Sequence, residues 1–174
     1  AEHGILNWFV AYASNQLGLS MARATTYLSL FFGGITIGRL LFSPWIAKLG
    51  IQKSIQLFGG VATVFYCVGL ILGIKGIWLF SLAGVFFSIL YPTLIMMIQS
   101  YYERDIVSTA TGCIISAATI FDILFNSIFG YLVDSIGFAK GFLILPIAMG
   151  VFYFLFTVFN KRVSVLGEKS IENN

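Results

Sequence analysis

The sequence predicts an all-α membrane protein with six transmembrane helices. Three observations lead to this class: extreme apolarity, a succession of long apolar runs, and short polar joints between the runs. Of the 174 residues, 59% are hydrophobic and only 10% are charged. A soluble domain has about 25% charged residues, so this chain has too little polar surface to cover a globule in water. The same composition excludes a disordered chain and a disulfide-stapled secreted domain.

The residue counts also exclude several kinds of functional site. The ten Lys and Arg residues are scattered among the apolar runs, unlike the clustered basic surface of a nucleic-acid-binding protein. One histidine and two cysteines are too few for a zinc or haem site, and Cys67 and Cys113 are expected to be buried small side chains. No Ser/His/Asp arrangement or phosphate-binding loop is apparent in the sequence. We therefore predict no metal, no cofactor, no nucleic-acid partner and no enzymatic activity.

The helices follow from the apolar runs, because about 20 apolar residues are needed to cross the hydrocarbon core. They are predicted over residues 1–19, 24–47, 53–73, 77–99, 107–133 and 140–160. Together they form one bundle of residues 1–160, followed by a polar cytoplasmic tail of residues 161–174. The first apolar run, residues 4–19, is too short to span. It is either a re-entrant or interfacial helix, or a spanning helix whose first turns lie upstream, which the missing initial methionine favours.

The distribution of basic residues predicts the orientation, because cytoplasmic joints are enriched in Lys and Arg. If successive helices cross the membrane in opposite directions, six basic residues lie on one side of the membrane: Lys48, Lys53, Arg104, Lys161, Arg162 and Lys169. Three fall on the other side: Arg23, Lys75 and Lys140. The C-terminus is therefore predicted to be cytoplasmic, in a multi-pass protein of the plasma (inner) membrane.

An internal repeat is also predicted. A shift of 87 residues places residues 41–57 on residues 128–144, with Phe42 on Phe129, Gly50 on Gly137 and Lys53 on Lys140. A shift of three helices reverses the orientation in the membrane. The six helices are therefore predicted to form two inverted three-helix repeats, an arrangement typical of transporters. Chance similarity is the alternative, because the identities are few.

Three ionisable residues are predicted to lie inside the membrane: Glu2, Arg39 and Asp122. Measured from the polar joint that follows each helix, Arg39 is roughly 13 Å deep and Asp122 roughly 18 Å deep, at 1.5 Å per residue. A charge at such depth costs about 3 kcal/mol on insertion scales, so it needs a partner or a wet cavity. The two interpretations are a functional role facing a cavity, and a structural role as an ion pair or a hydrogen-bonded strut between helices.

Other polar residues recur at helical spacing around these three, so each helix carries a row of polar side chains on one face. Such a face must contact protein or water rather than lipid. The rows are Thr25, Ser29, Thr36, Arg39 and Ser43; Thr119, Asp122 and Asn126; and His3, Asn7 and Ser14. By contrast, residues 55–73 and 141–159 carry no charge and are predicted to face lipid. Pro92 interrupts the helix over residues 77–99 and is expected to free carbonyls beside Tyr91 and Thr93, as in the broken helices of transporters.

Residues 27–53, YLSLFFGGITIGRLLFSPWIAKLGIQK, resemble the eighth helix and following loop of the major facilitator superfamily. The branch that they resemble is the fucose:proton symporter-like group of sugar permeases. The segment Ala1-Glu2-His3-Gly4, with Asn7-Trp8, is similar to the Gly-x-Glu segment of that group's seventh helix. Residues 84–93, GVFFSILYPT, resemble its tenth helix, and residues 110–112 and 130–137 resemble its eleventh.

The resemblance implies that the chain is the C-terminal six-helix half of a twelve-helix secondary transporter, with the N-terminal half as its partner. In that superfamily the first and fourth helices of each half line the cavity, the second and fifth pack against the other half, and the third and sixth face outward. Two positions depart from the pattern. The loop Ala47-Lys48-Leu49-Gly50 lacks the family's Asp, which puts a charge relay there in doubt, and Phe87 replaces an Asn that commonly precedes the tenth-helix serine in sugar permeases.

The leading functional hypothesis is alternating-access transport of a small polar solute such as a sugar, coupled to protons. Glu2 is expected to carry the coupling proton, because desolvation favours the protonated carboxyl, while Arg39 and Asp122 pair or exchange partners. The expected substrate contacts are His3, Asn7, Trp8, Tyr91, Thr93 and Asn126. One alternative is a drug or lipid exporter of the same superfamily, with Phe87, Met96 and Met97 as cavity walls. A second is a non-transporting six-helix membrane scaffold, in which the polar rows close against one another.

Overall fold

The apolar runs form helices that end at glycines and polar joints. The computed structural model describes the backbone of residues 2–172 and the side chains of residues 7–160. In that part of the chain the helices are α1 (Glu2–Asn15), α2 (Met21–Leu49), α3 (Ile51–Leu72), α4 (Ile77–Phe87), α5 (Leu90–Tyr101), α6 (Val107–Ile136), α7 (Phe138–Phe142) and α8 (Ile144–Glu172). A 3-10 turn, Gly73–Gly76, joins α3 to α4, and the described residues contain no strand. The predicted all-α class is confirmed.

Four stretches of the described chain are long and apolar enough to cross a membrane: Met21–Leu49, Ile51–Tyr101, Val107–Ile136 and Phe138–Asn160. They indicate a membrane-embedded protein. The second stretch is a hairpin that reverses at the 3-10 turn, since Tyr66 of α3 lies edge-on to Phe80 of α4 with ring centroids 5.0 Å apart. Helix α1 has 14 residues, or about 21 Å, and is shorter than a hydrocarbon core of about 30 Å.

Aromatic side chains from five helices meet in the core. Tyr12 of α1 stacks on Phe142 of α7 with centroids 4.2 Å apart, and Phe9 lies 5.4 Å from Phe80. Tyr66 and Phe129 complete this cluster and are fully buried. Because ring contacts of this kind add stability beyond the apolar area that they bury, the cluster ties α1 to the α3–α4 hairpin and to α7.

Helices α2 and α4 approach each other at backbone distance, because glycines line both sides of their contact. A Cβ on Gly38 would lie 2.2 Å from the carbonyl oxygen of Val85, and a Cβ on Gly84 would lie 2.3 Å from that of Phe31. Small residues permit such close packing between apolar helices. The Ser81 hydroxyl adds a hydrogen bond of 2.8 Å to the carbonyl of Tyr27 across the same contact.

Helix boundaries and joint geometry recur 87 residues apart. Shifted by that number, α2 covers residues 108–136, and α6 spans Val107–Ile136. Gly50, between α2 and α3, has φ 80° and ψ 159°, and Gly137, between α6 and α7, has φ 82° and ψ 157°. Glycine adopts a positive φ without the steric cost that other residues carry. Each of these two glycines also donates its N–H to the carbonyl four residues earlier, over 2.9 Å.

The structure differs from the predicted elements at three places. The helix predicted over residues 77–99 breaks at Ser88 and Ile89, one turn before Pro92 rather than beside Tyr91 and Thr93. Helix α8 ends at Glu172 rather than at residue 160, so residues 161–172 of the predicted polar tail are helical. Cys113 is exposed rather than buried, since α6 has few neighbours along its first half.

Candidate functional site

Arg39 reaches across from α2 to the break between α4 and α5. Its Nε donates to the main-chain carbonyl of Ser88 over 3.2 Å. In a continuous helix that carbonyl would accept the N–H of residue 92, and residue 92 is a proline, which has no N–H. The regular pattern resumes at the next position, where the N–H of Thr93 donates to Ile89 over 3.0 Å. Arg39 therefore donates to the Ser88 carbonyl the hydrogen bond that Pro92, which has no N–H, cannot donate.

The side chains flanking Arg39 on α2 form an exposed polar face. Thr25, Ser29, Thr36 and Ser43 are all exposed, as is Arg39 itself. The hydroxyls of Thr25 and Thr36 donate to the carbonyls of Met21 and Phe32 on their own helix. These bonds satisfy the hydroxyl protons locally, so the face presents mainly oxygen acceptors and the guanidinium, a group with five N–H donors.

A second polar group joins α1 to α6. The side-chain oxygen of Asn126 accepts two hydrogen bonds, from Asn7 Nδ2 over 3.1 Å and from Trp8 Nε1 over 3.0 Å. The Asn126 amide nitrogen donates to the main-chain carbonyl of Asp122 over 2.9 Å. We call Asn7, Trp8 and Asn126 the amide cluster. Gly130 makes room for it, because a Cβ there would lie 3.1 Å from the Trp8 ring.

The predicted charges and contacts do not all meet at one place. The amide cluster brings together three of the predicted substrate contacts, and Asp122 is half-buried beside it. Arg39 bonds to the main-chain carbonyl of Ser88 at the break between α4 and α5. The side chains of Glu2 and His3 lie outside the described residues.

Tyr91 lines a cavity to which the amide cluster does not contribute. It is 52% exposed, and the cavity lies between α3, α5 and α8. Thr93 is fully buried, and its hydroxyl donates to the Ile89 carbonyl on its own helix.

The Ser88 carbonyl was not among the predicted site groups, although the sequence contained a signal for it. A proline inside a helix frees the carbonyl four residues earlier, which for Pro92 is that of Ser88. The donor that bonds to this carbonyl, Arg39, lies 49 residues earlier in the sequence, and no local pattern predicts that pairing. The cavity between α3, α5 and α8 was likewise not predicted, because it depends on how three helices pack.

Comparison with known proteins gave no relative: no protein family, curated protein sequence or solved structure matches this chain.

Proposed function

We propose that this chain is one six-helix half of a secondary active transporter that moves a small polar solute, such as a sugar, by alternating access coupled to protons. The half is proposed to belong to the major facilitator superfamily, in a plasma-membrane protein whose C-terminus lies in the cytoplasm. Its partners are the other six-helix half of the same transporter, the lipid bilayer, the solute and the proton.

The observation that carries the proposal is the exposed polar face of α2. Four hydroxyl side chains and Arg39 follow one line along a mainly apolar helix that is long enough to cross a membrane. The Thr25 and Thr36 hydroxyls bond to their own helix, but the exposed Arg39 charge at membrane depth requires water or another protein surface. A second half packed against this face across a wet cavity provides both.

Two further features support a transporter fold. The recurrence of helix ends and of the Gly50 and Gly137 geometry after 87 residues fits two inverted three-helix repeats. The break at Ser88 and Ile89 lies within an apolar hairpin, the kind of interruption that transporters place beside their substrate sites.

Within this proposal the residues have separate roles. Glu2 binds and releases the coupling proton, and the amide cluster, with His3, contacts the solute, since an indole ring beside amides suits a sugar ring. Arg39 holds the broken helix to α2, and Asp122 supplies a carboxylate next to the amide cluster. Tyr91 is proposed to reach the solute only from the side of α5, and the buried Thr93 is not included among the contacts.

The test is uptake by the full-length protein in proteoliposomes under an inward proton gradient, with a panel of labelled monosaccharides and other small polar solutes. Glu2→Gln should reduce accumulation to the level seen without a gradient and leave solute exchange intact. Glu103→Gln, which changes an exposed carboxyl in a joint between helices, is the matched control and should alter neither activity. Accumulation that survives Glu2→Gln would remove Glu2 from the coupling role.

A drug or lipid exporter is the second candidate, and one observation favours it. The cavity between α3, α5 and α8 has aromatic walls that include Phe87 and Phe152, as an amphipathic substrate would require. Dye efflux by the whole protein without uptake of any polar solute would select this function. If the protein shows neither efflux nor uptake, the result selects the non-transporting scaffold.

A further inference from the structure

The orientation of the Asn126 amide is determined by its two neighbours. The indole N–H of Trp8 can only donate a hydrogen bond, and it lies 3.0 Å from one side-chain atom of Asn126, so that atom must be the oxygen. The other atom of the amide lies 2.9 Å from the main-chain carbonyl of Asp122, which can only accept, so that atom must be the nitrogen. Two independent contacts therefore exclude the flipped amide.

The orientation of the Asn7 amide follows from that of Asn126. One atom of the Asn7 amide lies 3.1 Å from the Asn126 oxygen. That atom must be the Asn7 nitrogen, since two amide oxygens at this distance would repel each other and form no hydrogen bond. The donor-only indole consequently sets the direction of two amides in succession, and the Asn7 oxygen is left outside the hydrogen bonds of the amide cluster.

The Trp8 ring, from which this order starts, is itself held in place. Its centroid lies 5.4 Å from that of Phe129 on α6 and 6.5 Å from that of Phe138 on α7. Gly130 permits this packing, because a Cβ there would lie 3.1 Å from the Trp8 ring. The indole N–H thus keeps one direction, and the amides that it orients are preorganised before a ligand arrives.

These hydrogen bonds determine which atoms of the amide cluster are left for a ligand. An amide oxygen accepts two hydrogen bonds, and the Asn126 oxygen already accepts one from Asn7 and one from Trp8. The Trp8 N–H is used as well, so the indole offers a ligand only its ring. Each amide nitrogen keeps one N–H. Asn7 is exposed, and its oxygen is therefore the side-chain acceptor that the cluster presents.

We infer that Trp8 and Asn126 are positioning residues, which orient Asn7 so that its oxygen accepts a hydrogen bond from a hydroxyl group of the solute. An ionised carboxylate or phosphate presents only acceptor oxygens and is disfavoured opposite the Asn7 oxygen. The inference rests on the proposed transport of a polar solute. It adds the chemical group that is recognised at Asn7, which is a neutral hydroxyl donor.

The first experiment compares sugar analogues as competitors of labelled glucose and galactose, taken up by the full-length protein in proteoliposomes. A monodeoxy analogue lacks one hydroxyl, and a monofluoro analogue keeps a weak acceptor there but has lost the donor. At one ring position both analogues should compete about tenfold more weakly than the parent sugar, as expected for the loss of one hydrogen bond. Asn7→Leu should remove this discrimination at the same ring position.

Asn126→Leu tests the positioning role. Without the Asn126 oxygen the Asn7 amide can turn and donate, so the fluoro analogue should come within about threefold of the parent sugar while the deoxy analogue stays about tenfold weaker. A purely structural role would weaken all three sugars equally. Trp45→Phe, at an exposed tryptophan on α2, is the control and should leave the ratios unchanged. An unchanged ratio of fluoro analogue to parent in Asn126→Leu would overturn the inference, as would wild-type protein that accepts every fluoro analogue as well as the parent.

A second experiment tests the hydrogen bonds without transport. Hydrogen exchange of the Trp8 indole N–H, measured by NMR in the full-length protein and assigned with Trp8→Phe, should be about tenfold faster in Asn126→Leu, which removes its acceptor. It should stay slow in Asn7→Leu, and the exposed Trp45 indole reports any general loosening. Equal exchange in the wild-type protein and Asn126→Leu would overturn the positioning role.

The two experiments separate this inference from the proposed function. If the Trp8 N–H exchanges as expected but no polar solute is taken up, the proposed function fails, and recognition of a hydroxyl fails with it. If uptake occurs but the analogues show no such pattern, only the inference fails. If Asn126→Leu does not fold, the analogue pattern of the wild-type protein and of Asn7→Leu decides the inference.

Discussion

Helices α2 and α6 occupy corresponding positions 87 residues apart, and they are held in opposite ways. Helix α2 packs on α4 through glycines at backbone distance, and 28% of its most apolar 18-residue segment is buried. Helix α6 meets α1 through side chains, and only 6% of its corresponding 18-residue segment is buried. Phe129 and Val133 are its buried residues in the described structure. Helix α2 is held mainly by close backbone packing, and α6 by the hydrogen bonds to Asn126 and the ring contacts of Phe129.

The same difference appears at two polar positions that lie 87 residues apart. Arg39 on α2 and Asn126 on α6 are 87 residues apart, because 126 − 39 = 87. Arg39 bonds to the backbone of a broken helix, and Asn126 bonds to side chains of a neighbouring helix. The Arg39 contact satisfies a carbonyl that Pro92 leaves without its helical donor, whereas the contacts of Asn126 with α1 join side chains only.

The largest expected effect is at the glycine contact. Gly38→Ala places a methyl group within 2.2 Å of the Val85 carbonyl, so the helices must separate, and we expect a loss of about 3 kcal/mol in unfolding free energy. Gly33→Ala on the same helix, and Gly112→Ala on α6, have nothing within 4 Å and should be neutral or slightly stabilising. Thermal unfolding of the full-length protein in detergent measures this. Equal stability of Gly38→Ala and Gly33→Ala would contradict the close packing.

An intermediate effect is expected for Arg39. Arg39→Met leaves the Ser88 carbonyl without its donor and should cost about 2 kcal/mol. Pro92→Ala restores an N–H in register with that carbonyl, so the same Arg39 substitution should cost about 1 kcal/mol less in the Pro92→Ala background. A double-mutant cycle on unfolding free energies measures the coupling. Additive effects would show that Arg39 does not replace the donor withheld by Pro92.

The smallest effect is expected at the amide cluster. Asn126→Leu removes the acceptor of two hydrogen bonds and should cost about 1 kcal/mol, because hydrogen bonds between membrane helices contribute modestly. In the Asn126→Leu background, Asn7→Ala should cause no further loss of unfolding free energy. Ser127→Ala is the control, since its hydroxyl bonds only to the Ile123 carbonyl on its own helix. If Asn126→Leu matched the cost of Gly38→Ala, the contrast between α2 and α6 would fail.

The sequence predicted the helices well because their signals are local. Apolar runs of about 20 residues and glycines such as Gly50 and Gly137 determine where α2, α3 and α6 begin and end. The break in the fourth predicted helix was placed one turn too late, since a proline disturbs the turn before it rather than its own position.

The site was predicted less completely, for a physical reason. Asn7 and Asn126 were recognised as polar positions on apolar helices, and Trp8 was named with Asn7 in the family resemblance; the structure places all three together. The partner of Arg39 depends on which helix lies opposite, and the sequence does not specify this. The functional roles of these residues stay predictions.

The link between Arg39 and Ser88 has a consequence for how α5 can move. The Ser88 carbonyl belongs to the break between α4 and α5, and its donor comes from α2, which glycines hold against α4. A swing of α5 about this break must therefore either rupture the 3.2 Å hydrogen bond or carry the Arg39 side chain along with it.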